Sequence, residues 1–306
     1  MMKKTILTLI VAMTTLCVAC SAQEKKQRVS SGSLDEYPLF PSRHVAPRNV
    51  AVWLPDGYHR GMPCDVLYMH DGQMLFDSTT TWNHQEWQVD EVVGRLLAGS
   101  VIRPVIVVAV DNTADRLQDY FPQRCRDHMP ADARDQWGTD STLHADAYLR
   151  FLVEELKPFV DSAYQPLTSR EHTAIMGSSM GGLISLYALC EYPQVFGAAA
   201  CMSTHLSLML PTSSQRVIHQ LQWPVAFMQY VDEHLPAPNS ALLYMDRGTV
   251  GLDGSYAPFQ DQMDRLIRSH GWDERHFVSR VFAGHDHNET CWAQRLDHPL
   301  RFLLSQ

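Results

Sequence analysis

The sequence predicts an α/β protein built on a doubly wound, mostly parallel sheet with helices on both faces. Three observations predict it. Short apolar runs rich in Val, Ile, Leu and Ala alternate along the chain with stretches whose apolar residues recur at helical spacing. No segment repeats another, and such an alternation buries a parallel sheet between helical layers. The third is a Gly-x-Ser-x-Gly frame over 177–181, set between an apolar run and a helical stretch, where a strand turns directly into a helix.

In chain order, Met1-Met2-Lys3-Lys4 and the apolar run over 5–19 form a basic segment and a core too short for a spanning helix, so 1–22 reads as an export signal. The expected location is therefore periplasmic or membrane-anchored. Cys17-Val18-Ala19-Cys20 is similar to a lipobox, and a lipid on Cys20 is the route to membrane attachment; cleavage after Ala22 or Gln23 would release a soluble form. A polar tether is expected over 23–36 and a single domain over 37–306. Strands are predicted over 49–55, ended by the Asp56-Gly57 turn, and over 65–73, where an apolar run stops at a polar loop. Helical spacing over 86–97 follows, with Val89, Val92, Val93, Leu96 and Leu97 on one face, and then the β-branched run 104–110, of the kind buried on both faces.

Periodicity dissolves over 112–145, which reads as an insertion near the cleft. A helix resumes over 146–164, with a kink or early stop at Pro158. Strands are expected over 172–176, 196–202, 240–245 and 277–282, and helices over 183–190, 224–235, 258–270 and 291–304.

With 306 residues, 45 % of them hydrophobic, the chain can bury one large sheet. A formal charge of −9, without clustered Lys and Arg, argues against a nucleic-acid partner. After the signal, Cys64, Cys125, Cys190, Cys201 and Cys291 remain, an odd set that leaves at least one free thiol in an oxidising compartment. No Cys-x-x-Cys pair survives in the mature chain, so no structural zinc site is expected; no cofactor is expected either.

In an open α/β sheet, ligands sit beyond the carboxyl ends of the strands. Four loops there carry chemistry. The elbow presents Ser179, and the helix after it aims its first amides, Met180 foremost, at a developing oxyanion. The 246–253 loop supplies a carboxylate, and Gly284-His285-Asp286-His287-Asn288-Glu289 supplies a histidine, in the Ser, Asp, His order of a hydrolase triad on this kind of sheet. His70-Asp71-Gly72-Gln73 lies where a second oxyanion amide is expected, and Gly72 lets the Gln73 backbone turn inward.

The run 67–77, the elbow 177–182, Asp246-Arg247-Gly248-Thr249 with Leu252-Asp253, and His287-Asn288-Glu289 with Trp292 together resemble the esterase-D-like esterase family of the α/β-hydrolase superfamily. That family includes feruloyl and acetyl xylan esterases, enterochelin esterases and mycolyltransferases. The resemblance spans 49–304 and implies a serine ester hydrolase with a Ser-His-Asp triad. It selects His287, five residues before Trp292, and leaves His285 as a wall or hydrogen-bonding residue. Many relatives carry the acid where this chain has Gly251; Asp253, in the loop, becomes the expected acid, and Asp246 a structural residue. The resulting site is Ser179, His287 and Asp253, with Met180 and Gln73 amides as oxyanion donors and Asp71, Trp82, His285 and Trp292 around the substrate; Trp87 and Tyr120 are further cleft residues.

The expected substrate is an acyl or feruloyl ester of a carbohydrate, a small molecule or an oligosaccharide. A siderophore lactone fits the same resemblance. Two readings from other classes compete: a metal-dependent hydrolase using the His285/His287 region, and a non-catalytic binding protein that keeps the fold.

Overall fold

A computed structural model describes residues 26–131, 134, 142–208 and 222–305. The export signal and Cys20 lie outside the described residues. One eight-stranded sheet runs in the order β1-β2-β4-β3-β5-β6-β7-β8. Its strands are β1 Ser33–Phe40, β2 Arg48–Leu54, β3 Asp65–His70, β4 Val105–Val110, β5 Thr173–Ser178, β6 Ala198–Met202, β7 Leu242–Arg247 and β8 Phe277–Val281. The β1/β2 and β2/β4 pairs are antiparallel; every later pair is parallel.

Burial on both faces explains the continuous apolar runs. Val66 and Tyr68 of β3 face one core, shared with Tyr148, Leu186, Phe227 and Met263, while Leu67 and Met69 face the other, shared with Val93, Leu96, Leu300 and Leu303. Among the described residues the helices are α1 Val89–Ala98, α2 Arg116–Tyr120, α3 Ala145–Arg150, α4 Lys157–Tyr164, α5 Met180–Glu191, α6 Gln222–His234, α7 Ala257–Ser269, α8 Glu289–Arg295 and α9 Asp297–Leu304. In α5 every residue from Met180 to Cys190 is buried, as its composition, apolar all round, requires.

Three expectations need correction, and a fourth gains detail. The tether expected over 23–36 is already docked before it ends: the Arg28 amide donates to Asp77 (3.0 Å), the Trp53 indole donates to the Ser31 carbonyl (2.8 Å), and Ser33 opens β1. As an edge strand with Pro38 and no fully buried residue, β1 lacks the apolar signature of an inner strand. The insertion over 112–145 contains α2 and a 3-10 turn, Gln123–His128; its polar composition hides a buried ion pair, Asp119 with Arg48 at 3.0 Å. At Pro158 the helix neither stops nor ends early. A π turn, Phe151–Leu156, joins α3 to α4 just before the proline, widening the ladder where the ring removes a donor. Finally, the closing helix expected over 291–304 is two helices that meet at Leu296.

Parallel register brings the loops together. Ser178 pairs with Met202, Met202 with Asp246, and Arg247 with Val281, so the segments after β5, β6, β7 and β8 leave the sheet side by side. His70 pairs with Val110 and sets the loops after β3 and β4 at the same edge.

Candidate active site

At the elbow Ser179 has φ 58° and ψ −122°, a conformation that L residues seldom adopt. The turn is tight enough that a Cβ on Gly177 would lie 2.7 Å from the Gly181 carbonyl carbon, so a side chain there would push helix from strand. Surrounding backbone bonds over-determine the strain: the Ser179 amide donates to the Met202 carbonyl (3.0 Å), and the His205 amide donates to the Ser179 carbonyl (3.1 Å).

Ser179 and His287 line one cavity of about 610 Å³, together with Asp71, Gln73, Trp82 and Trp292. His287 is held from below: its Nδ1 is 2.7 Å from Asp253 Oδ1, and its ring sits edge-on to Trp292 (5.1 Å) and Tyr256 (5.6 Å). Asp253 is fully buried. Its other oxygen accepts from the Ser203 hydroxyl (2.5 Å) and the Gly248 amide (2.7 Å). Burial pushes the Asp253 carboxyl up, but the hydrogen bonds from His287 and Ser203, the His287 charge and the Gly248 amide outweigh it and hold the group below its ordinary value.

Asp246 stays in β7. It is fully buried and binds Arg295 through both oxygens (3.1 and 3.2 Å), with the Ser203 amide donating to it at 3.2 Å. Burial outweighs these partners and leaves its carboxyl above the ordinary value. Arg295, itself buried, also donates to Ser203 Oγ (2.7 Å), which takes a further bond from the Trp292 indole (3.0 Å).

On the opposite side, Asp71 (φ 57°, ψ 45°) opens the 3-10 turn Gly72–Met74. Gly72 is required here: a Cβ would lie 2.8 Å from the Ala109 carbonyl carbon. The first amides of a helical turn have no carbonyl behind them in the turn, and Gln73 and Met180 both hold such positions. Asp71 is clamped by Arg116 (2.7 and 2.8 Å) and by the Asn112 amide (2.6 Å). Burial raises the Asp71 carboxyl, and Arg116 with Asn112 brings it below its usual range.

The structure thus brings Ser179, His287, Asp71, Gln73, Trp82 and Trp292 together, with Met180 and Asp253 directly behind. It does not bring His285 to the cavity. That residue's carbonyl accepts from Thr249 (3.0 Å) and Val250 (3.2 Å), and its ring packs against Phe282, so it staples the acid loop to the histidine loop. His285 and His287 therefore turn to different partners, and among the described residues no three His, Cys, Asp or Glu side chains gather to hold a metal ion. Trp87 lines the cavity from the core, whereas Tyr120 lies buried behind Asp71. Cys64, Cys125, Cys190, Cys201 and Cys291 are all free thiols. Sequence reasoning missed Asn112, Arg116, Ser203, His205, Tyr256 and Arg295. The rule that sent attention to strand ends also covers 203–205, directly after β6, and was the signal available there.

The chain belongs to an esterase family: the family described as "Putative esterase" matches residues 43–303. Its fold is that of the α/β-hydrolases, and a ferulic acid esterase superposes with TM-score 0.64 at 21 % identity, covering 89 % of this chain and 97 % of that one. The enterobactin esterase of Shigella flexneri superposes with TM-score 0.64 at 16 % identity, over 90 % of this chain and 60 % of that one. By sequence, the siderophore enterobactin esterase of Emericella nidulans is 29 % identical over 47 % of each chain. The chain spans 47 % to 63 % of the length of the curated relatives it matches.

Proposed function

We propose that this protein is a serine carboxylic-ester hydrolase working through an acyl-enzyme. One observation carries the reading: an imidazole whose Nδ1 is committed to a buried carboxylate at 2.7 Å lines the same cavity as a serine on a strained elbow. Nε2 is then the atom left to serve Ser179. In this scheme the Ser179 oxygen attacks the ester carbonyl while its proton passes to His287. The Gln73 and Met180 amides take the charge on the carbonyl oxygen, and collapse expels the alcohol with the proton that His287 returns. Water then repeats the sequence on the acyl-enzyme.

An acyl or feruloyl ester of a carbohydrate is the substrate class we favour. Trp82, 80 % exposed at the cavity rim, offers an open aromatic face to an aryl acyl group or a sugar ring, and Asn83, Asn112 and Arg116 offer polar contacts beside it. A siderophore lactone is the second reading, supported by the two enterobactin esterases that this chain is similar to. The basic and apolar start of the chain supports export; among the described residues no helix is long and apolar enough to cross a membrane.

The test is hydrolysis of p-nitrophenyl acetate, methyl ferulate, acetylated xylan and a triscatecholate lactone by wild type and Ser179→Ala. Turnover of at least one ester should fall by about a millionfold in the variant. Failure of a fluorophosphonate to label Ser179 in the wild type would overturn the reading. Recovery of the protein in the cytoplasmic fraction of its host would overturn export.

A further inference from the structure

Beside the nucleophile stands a pair of side chains to which this scheme gives no part. Tyr256 is buried, 1 % exposed, and its hydroxyl lies 2.7 Å from His205 Nδ1. The Tyr256 ring stands edge-on to His287 at 5.6 Å, and the amide of its partner His205 bonds the Ser179 carbonyl, which sets the phenol close enough to the Ser179 side chain to act on it. Local geometry explains how it arrives there. Asp253–Ser255 is a 3-10 turn, closed by the Tyr256 amide donating to the Asp253 carbonyl (3.1 Å), and residues three apart in such a turn lie on one side. A single turn therefore delivers the carboxylate of Asp253 to His287 and the phenol of Tyr256 to Ser179.

Both are braced by the same short segment after β6. Ser203 holds Asp253 at 2.5 Å, and two residues on, His205 holds Tyr256 at 2.7 Å. That segment is in turn bonded to the backbone of the elbow on both sides of Ser179, through Met202 and His205. The acid and the phenol occupy equivalent places in two parallel chains: Ser203, Asp253, His287 and His205, Tyr256, Ser179.

We propose that Tyr256 is a further catalytic residue and His205 its positioning residue: His205 Nδ1–H donates to the Tyr256 oxygen, and the Tyr256 O–H donates to Ser179 Oγ. The proposal rests on the reading of Ser179 as nucleophile. A serine hydroxyl has one proton and two lone pairs, and the proton must face His287. A donor on one lone pair fixes the rotation of the hydroxyl and leaves that proton free for the base. As the Oγ–carbon bond forms, the serine proton passes to His287 and Tyr256 keeps its own. In deacylation the same bond breaks, Oγ departs with negative charge, and the Tyr256 O–H stabilises it until His287 returns the proton. Burial, with the Asp253 charge, pushes the Tyr256 phenol well above its ordinary value, so it remains a donor throughout.

The opposite polarity, with serine donating to tyrosine and tyrosine to His205, would hold the serine proton away from the base. The two arrangements predict opposite effects. The experiment uses the full chain with Tyr256→Phe, His205→Ala, His205→Asn and the Tyr256→Phe/His205→Ala double variant, reading kcat, KM and the rate of fluorophosphonate labelling. We expect Tyr256→Phe to lower kcat and labelling about tenfold, the worth of one neutral hydrogen bond, with KM within about twofold of wild type. His205→Ala should lose about as much. His205→Asn, whose amide can reach the place of Nδ1, should recover most of it, and the double variant should be no slower than Tyr256→Phe alone because both act in one chain. A rate unchanged or raised in Tyr256→Phe overturns the proposal, as do losses that multiply in the double variant. Should Tyr256→Phe fail to fold, the contrast between His205→Ala and His205→Asn decides alone. Absence of labelling in wild type would instead strike the hydrolase reading itself.

Discussion

Asp71 and Asp253 are buried carboxylates on opposite sides of one cavity, and both are held below the ordinary carboxylate range, yet by different means. Asp71 meets a full guanidinium charge from Arg116 at 2.7 Å, reinforced by Asn112. Asp253 meets a serine hydroxyl, a backbone amide and an imidazole, while the buried Arg295 spends its charge chiefly on Asp246 (3.1 Å against 3.6 Å). The difference separates architecture from chemistry. At Asp71 the charge is closed and the loop carrying Gln73 is locked. Around Asp253, two carboxylates share one arginine, so the cluster is short of one positive charge until the imidazole takes a proton. In the proposed scheme, the acid that would stabilise a transient imidazolium needs that deficit.

The comparison can be broken most forcefully at the acid itself. Asp253→Asn should lower kcat by about ten-thousandfold with KM little changed, since the tautomer and the stabilising charge are lost together. Asp246→Asn should leave kcat far closer to wild type in steady-state assays with p-nitrophenyl acetate. The reverse ranking would reassign the acid. Next in size is Arg295→Met, which leaves Asp246 buried without its cation. A loss of about 3–5 kcal/mol in urea unfolding is expected. Partial rescue by adding Asp246→Asn would confirm that the stranded charge, rather than lost packing, is the cause.

Arg116→Gln sharpens the other side of the comparison. Its side chain is 29 % exposed, so solvent screens the pair and the stability change should stay within about 1 kcal/mol. Catalysis should suffer more: a loosened Asp71 lets the Gln73 amide drift, and kcat should fall by about ten- to a hundredfold. Equal losses in stability and rate would mean that the clamp holds the domain rather than the oxyanion loop.

A pH-dependent effect concerns the neighbour of Asp71. Burial outweighs the attraction of Asp71 and lowers His70 to about 3. An unfolded histidine titrates near about 6.5. The unfolded chain thus binds the extra proton first as pH falls, and the stability due to His70 is complete above about pH 6.5 and is lost on the way down to about 3. The slope is at most about 1.4 kcal/mol per pH unit. Urea midpoints measured between pH 7 and pH 4.5 should fall less steeply in His70→Gln than in wild type.

Residues that work through local geometry were readable before any coordinates. The Ser179 elbow is a turn of a few residues whose glycines answer to contacts inside the turn, such as Gly177 against Gly181. Gln73 follows a strand end, Asp253 lies in a loop after another, and His287 is marked by its distance to Trp292. The inner strands were equally readable because burial on both faces leaves most of their positions apolar. By contrast, β1 hid in a polar stretch because an edge strand buries little. Arg295 sits in a closing helix where nothing nearby in the chain marks it as buried, and its partner Asp246 stands 49 positions earlier.

By itself the sequence determined the layered sheet and the strained turn at Ser179, because each depends on residues close together in the chain, while the family resemblance pointed to His287 and to a carboxylate in the loop after β7. Only the tertiary structure decided which carboxylate meets His287, that His285 turns away, and that Ser203, His205 and Tyr256 stand behind the reacting groups. Those outcomes depend on the register of β5, β6 and β7, which sets residues from distant parts of the chain within hydrogen-bond distance. A hydrogen bond is made over about 3 Å of space whatever the separation along the chain, and no local pattern of residue types encodes that distance.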